Sequence, residues 1–228
     1  MKSKVNISID DISPHPQASI KVLENCYKLI GEYPCIKFTL FIPMAYTRHN
    51  EKTYDVREYK DFCEYLRNLP DEYFELGWNG VYHGILGKSN NDEFKDLSRA
   101  ESFDRLLEMF QISLEAGIYD LFKPIFRPSA LRMSPESFDA CREADIDILA
   151  LSEDIDYGGK DKSFESVVYY DCNPPHKPLQ LKKSTEIMYH ACEWDKNHLG
   201  EEKMNGLRAF LDDNINNIEF VFMDKMVG

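Results

Sequence analysis

Two adjacent carboxylates are the first candidates for chemistry. Asp10 and Asp11 close the run Val5-Asn6-Ile7-Ser8-Ile9 and precede Ile12, Ser13 and Pro14. A β-branched run ending in acids and then proline reads as a buried strand that delivers them to a sheet edge. Neighbours along a strand point to opposite faces, but where the backbone turns both can face one pocket. One can then bind a metal while the other serves as base. Similar residues recur further on: Asn79 and His83, Arg127 before Pro128, Asp154 and Asp156, and His190 closing Ile187-Met188-Tyr189. A single acid in such a place is commonly a turn or helix cap. Recurrence at five strand ends is harder to explain that way, because a parallel fold brings those ends together.

Seven strand-like segments must position these residues: 5–9, 36–42, 73–78, 123–126, 147–151, 186–190 and 219–223. Helical patterns lie between most of them. Ile20, Leu23, Tyr27 and Ile30 share one face, as do Tyr59, Phe62, Tyr65, Leu66 and Leu69. A longer helix spans about 97–116, with Ser98 and Glu101 as a capping box and Gly117 as its stop. Another starts at Ser134 with Pro135 in its first turn, and the last begins near Gly200. Strand–helix alternation predicts an α/β fold with parallel strands and helical crossovers. Residues 152–183 break the rhythm with Gly158-Gly159, Pro174-Pro175 and Pro178 and a short strand-like stretch at 167–170, and read as an elaborated loop or small hairpin over the site. No repeat or linker interrupts the 228 residues, which predicts a single domain.

The formal net charge of −13 disfavours nucleic acid and anionic membrane surfaces as partners. Hydrophobic residues at 43% and charged residues at 29% place the chain among globular proteins. Cys26, Cys35, Cys63, Cys141, Cys172 and Cys192 are scattered, without a C-x-x-C pair, and read as small buried hydrophobes. Met1-Lys2-Ser3-Lys4 leads directly into the first strand, and no apolar stretch approaches a membrane span. The expectation is a cytoplasmic protein without membrane insertion.

Taken in order, four motifs resemble the polysaccharide deacetylase superfamily, that is, carbohydrate esterase family 4 and its relatives. They are Ser8-Ile9-Asp10-Asp11, Asn79-Gly80-Val81-Tyr82-His83, Phe126-Arg127-Pro128-Ser129-Ala130 with Arg132-Met133-Ser134, and Ile187-Met188-Tyr189-His190. The resemblance runs from residue 5 to about residue 195. It implies a single-domain distorted (β/α)7-type barrel, in agreement with the strand count. It also implies that Asp11 and His83 bind a divalent metal, usually zinc, and that Asp10 is the general base. Arg127 would orient Asp10, and His190 would protonate the leaving amine. An acid orients that histidine in the family, a role open here to Asp154 or Asp156.

The departure is at Asn79, where the family normally carries the first of two histidines. An amide oxygen is neutral and hard, a poor zinc donor beside imidazole but able to bind other divalent ions. Three outcomes stay open: Asn79 ligates weakly, His15 or His49 replaces it, or no metal is held. His176 and His198 read as loop and surface residues. Trp194 and Tyr82 are candidates to stack on a sugar ring. The leading expectation is a metal-dependent deacetylase acting on a small carbohydrate, such as an intracellular O-antigen precursor. The alternative is a catalytically degraded homologue that binds carbohydrate or assists assembly. Phosphoester chemistry and nicotinamide chemistry are disfavoured, because neither G-x-x-x-x-G-K-[S/T] nor G-x-G-x-x-G occurs.

Overall fold

The structure is a computed structural model that describes residues 2–48, 52–152, 165–166, 168–169 and 179–226. Its centre is a sheet of eight strands: β1 (Ser3–Asp10), β2 (Phe38–Ile42), β3 (Phe74–Trp78), β4 (Phe122–Phe126), β5 (Ile148–Leu149), β6 (Val168–Tyr169), β7 (Ser184–His190) and β8 (Ile218–Phe220). The order is β6-β7-β1-β2-β3-β4-β5, with β8 beside the first residues of β1. Every pair in it is parallel. The sheet curls into a half-barrel, an open form of the distorted barrel, with β5 and β6 at its two ends.

Helices α1 (Leu23–Glu32), α2 (Lys60–Arg67), α3 (Arg99–Glu115), α4 (Pro135–Glu143) and α5 (Glu201–Asn214) accompany the sheet. Their ends follow local chemistry. Ser98 and Glu101 form a reciprocal capping box on α3, and Gly117 takes φ +68° just beyond its end. Ser134 caps α4, with Pro135 in the first turn where a missing N–H costs nothing.

The pleat sorts β1 into two sets. Val5, Ile7 and Ile9 pack in one large core with Leu23, Cys26 and Leu29 of α1. Asn6, Ser8 and Asp10 make the alternate set, also buried, and bond within the half-barrel. A second apolar cluster, including Phe41, Ile125, Ala150 and Met223, fills that inner side.

Of residues 152–183, expected as an elaborated loop or small hairpin with a strand-like stretch at 167–170, the described 168–169 join the main sheet parallel to β7, and 165–166 pair parallel with 151–152. Residues 153–164, 167 and 170–178 lie outside the described residues. One sequence expectation is corrected. The strand expected at 219–223 ends at Phe220, because the chain turns into a 3-10 segment at Met223–Lys225.

Candidate active site

Parallel register sets the site. Asp10 lies opposite His190, Ile42 opposite Trp78, and Trp78 opposite Phe126. The residues that follow Trp78 and Phe126 are Asn79 and Arg127, so both leave the same edge of the sheet as Asp10 and His190. Asp10, Asp11, Asn79, His83 and His190 line one cavity of about 680 Å³.

Asp10 is held from beneath. Arg127 is fully buried, and its Nη1 donates to Asp10 Oδ1 at 2.7 Å and to the Ser8 hydroxyl at 2.8 Å. Its Nη2 donates to Glu186 Oε1, which also accepts from the Ser8 hydroxyl at 2.6 Å. The guanidinium rests over the Phe41 ring at 4.1 Å. One buried cation thus serves two buried carboxylates. Burial pushes the Asp10 carboxyl up to about 6, against the downward pull of Arg127.

Asp11 turns the chain with φ +64°, an unfavourable conformation for a non-glycine residue. The turn brings the second acid into the cavity that the first one lines. Asp11 Oδ2 accepts from the Cys192 thiol at 3.2 Å. Asp11 Oδ1 lies 2.9 Å from His83 Nε2 yet has no hydrogen-bond partner, so the two atoms are close without being aligned as donor and acceptor. On the far side of the ring, His83 Nδ1 is 2.8 Å from the Asn90 carbonyl. A carbonyl only accepts, so Nδ1 carries the proton, and in the neutral ring Nε2 presents a lone pair to the carboxylate. Burial opposes charge on both groups, but their mutual attraction outweighs it. Asp11 is held well below the usual carboxylate range and His83 is raised.

Asn79 is almost fully buried, and its Nδ2 donates to the Arg127 carbonyl at 2.9 Å. That bond fixes which end of the amide is the oxygen, and Oδ1 has no partner. Asp11 Oδ1 and Asn79 Oδ1 are two buried acceptors without a partner on the cavity that His83 also lines; with Nε2 deprotonated, the imidazole would complete with them a set that fits a divalent cation. Among the described residues, no group of three or more His, Cys, Asp and Glu side chains could hold a metal. Any such site leans on the asparagine oxygen.

His190 Nδ1 stands 3.3 Å from Asp195 Oδ1, again close without hydrogen-bond alignment. Burial works against protonation, but Asp195 and the two strand-end acids outweigh it, and His190 is raised to about 9. Asp195 thus occupies the place expected for Asp154 or Asp156, which lie outside the described residues, as do His49 and His176. His15 is not among the residues that line this cavity: its Nδ1 accepts from the Gln17 amide at 3.1 Å, and its ring packs against Tyr46, Tyr54 and Trp194. Trp194 lines the cavity under the Arg48 guanidinium, 4.0 Å from its centroid. Tyr82 points elsewhere, donating to Glu108 at 2.6 Å beneath Arg105. The opposite wall carries Ser129, Ala130 and Leu131, the last two with φ +51° and +58°.

Sequence reasoning missed four residues: Glu186, Cys192, Asp195 and Glu93, whose carboxylate binds the loop that carries His83. Cys192 and Asp195 had a usable signal, their place in the turn that directly follows His190.

Solved structures share the chain's architecture, a parallel sheet curled into a half-barrel. The Bc1960 peptidoglycan N-acetylglucosamine deacetylase superposes with a TM-score of 0.61 at 13% identity, covering 99% of this chain and 88% of that one. A putative polysaccharide deacetylase from Mycobacterium smegmatis gives 0.61 at 9% identity, covering 99% and 89%. A 4-alpha-glucanotransferase from Thermococcus litoralis gives 0.56 at 14% identity, with 99% of this chain but 40% of that one covered. At these identities the likeness is one of architecture. No protein-family model matches the chain, and no curated protein matches it.

Proposed function

We propose that the chain is a metal-dependent deacetylase that hydrolyses an acetyl or similar acyl group, amide- or ester-linked, on a carbohydrate. One observation carries the reading: Asp11 Oδ1, which has no hydrogen-bond partner, lies 2.9 Å from His83 Nε2 in the cavity that Asp10 and His190 also line. The deacetylase names printed for two structures of the same fold support the reaction class.

Asp11, His83 and Asn79 would hold the cation. Two oxygens and one imidazole favour a harder ion than a two-histidine site does, so manganese, cobalt or nickel competes with zinc here. When bound, the cation would bring the pKa of a water near 7 and polarise the acyl oxygen. Asp10 takes the proton of the attacking water, with its carboxylate held by Arg127 so that it cannot turn away. His190 gives a proton to the departing nitrogen or oxygen, and Asp195 keeps it charged for that task. Trp194 offers an apolar face beside these groups on which a sugar ring can stack.

The test is acetate release from N-acetylated and O-acetylated sugars, offered as free, polymeric and nucleotide-linked forms. Release that requires added metal and disappears in Asp10→Asn supports the reading. Absence of release with zinc, manganese, cobalt and nickel alike removes it.

A second reading has one observation in its favour, the asparagine oxygen where the family motif has an imidazole. A carbohydrate-binding homologue that has lost catalysis would hold metal below one equivalent and gain no activity from any ion.

A further inference from the structure

The loop that carries His83 is tied down at one point. Glu93 is buried, and its carboxylate accepts from three consecutive backbone amides: Val81 at 3.1 Å, Tyr82 at 3.1 Å and His83 at 3.0 Å. The Arg105 guanidinium completes the shell at 2.9 Å and also covers the Tyr82 ring. Successive amides that converge on one anion form a nest, and here the anion belongs to the protein itself. Gly80 makes the approach possible. Its φ is +84°, and a Cβ on it would lie 2.3 Å from Glu93 Oε2. From the other side, the backbone amide of Glu93 donates to the hydroxyl of Ser129, which stands on the opposite wall of the cavity.

We propose that Glu93 is a positioning residue for His83: by gathering the amides of residues 81–83 it fixes the imidazole in the place from which Nε2 faces Asp11. This rests on the metal-site reading above, and it goes beyond that reading by assigning the preorganisation of the site to a residue outside the cavity. His83 is then held at two points by residues three apart in sequence, its backbone by Glu93 and its Nδ1–H by the Asn90 carbonyl. His83 itself has φ +65°, a conformation that the nest maintains. Without the carboxylate, three amides lose their acceptor and the loop can relax toward ordinary backbone angles, carrying the imidazole with it.

Glu93→Gln is the probe, because it keeps the shape while replacing one acceptor oxygen by a donor that opposes the amides. Arg105→Met is the companion, because it removes the guanidinium but leaves the three amide bonds. Amide hydrogen exchange of the metal-free protein is the first readout. Residues 81–83 are protected in the wild type and in Arg105→Met, and Glu93→Gln loses that protection under conditions where β1 and β7 stay protected. Calorimetric titration with zinc and with manganese is the second. Glu93→Gln weakens binding about 10- to 100-fold, the range expected for outer-shell partners, and saturating metal restores kcat. Exchange at 81–83 equal to wild type in folded Glu93→Gln overturns the proposal, as does wild-type metal affinity in that variant. Should the wild type itself bind no metal, the deacetylase reading falls, while the exchange experiment still decides whether Glu93 holds the loop.

Discussion

Asp10 and His190 are register partners at the carboxyl ends of adjacent parallel strands, and the amide of Ala191 donates to the Asp10 carbonyl at 2.9 Å. Their side chains therefore leave the same face of the sheet one strand spacing apart. An acid raised to about 6 stands beside a base raised to about 9, so over the interval between them the carboxylate is ionised and the imidazole protonated. That is the protonation pattern a base–acid pair needs for hydrolysis of an acyl bond.

The pH dependence follows. kcat/KM for acyl hydrolysis rises as Asp10 ionises and falls as His190 loses its proton, giving a bell whose limits a bound cation moves downward. Asp195→Asn removes the carboxylate beside His190 and shifts the alkaline limb to lower pH. A pH–rate profile of both proteins checks this, and an unmoved alkaline limb would separate Asp195 from His190.

Stability of the metal-free protein should respond to the two acids with opposite sign. The folded-state pKa of Asp10 lies above its ordinary value, so its favourable contribution is present below about pH 4 and is lost as pH rises through about 6. Asp11 is depressed, so its contribution is present above its ordinary value and is lost only on strong acidification. At pH 8, Asp10→Asn should melt at or above the wild-type temperature and Asp11→Asn below it, by thermal unfolding with chelator present.

Asn79→His introduces an imidazole where the chain carries an amide. It should tighten zinc binding about tenfold or more while giving up the bond to the Arg127 carbonyl, worth about 1 kcal/mol. Zinc titration and thermal unfolding read the two effects separately.

Gly77 in β3 lies against the ring on which Arg127 rests. A Cβ there would meet the Phe41 ring at 2.7 Å and the Ile125 carbonyl at 3.3 Å, and Phe41 is fully buried under the guanidinium. Gly77→Ala should cost about 1–3 kcal/mol by overpacking. It should also lower kcat by displacing Arg127 from Asp10, as denaturant unfolding and steady-state kinetics would show.

Much of the framework was legible because it is written in periodic or short-range patterns. The run from Val5 to Asp10 alternates, Ser98 and Glu101 have capping-box spacing, and Pro135 follows an N-cap serine. The strand-end placement of Asn79, Arg127 and His190 followed from parallel topology. Glu93 and Glu186 were not legible, because their work is to satisfy backbone amides and a buried guanidinium, and neither task imposes a spacing on the sequence. Whether Tyr82 packs or faces the cavity stayed open in the sequence, because loop residues have no period from which to infer a facing direction. The strand-like stretch at 167–170 holds β6, but two residues do not announce which neighbour they pair with.

The account stands on a cation shared by Asp11 and His83. Anomalous diffraction from crystals of the chelator-stripped protein reloaded with manganese or zinc tests it most directly. One anomalous peak within bonding distance of Asp11 Oδ1, His83 Nε2 and Asn79 Oδ1 is the predicted result. Fully loaded crystals with no peak in that cavity, or a peak held by other side chains, would contradict it.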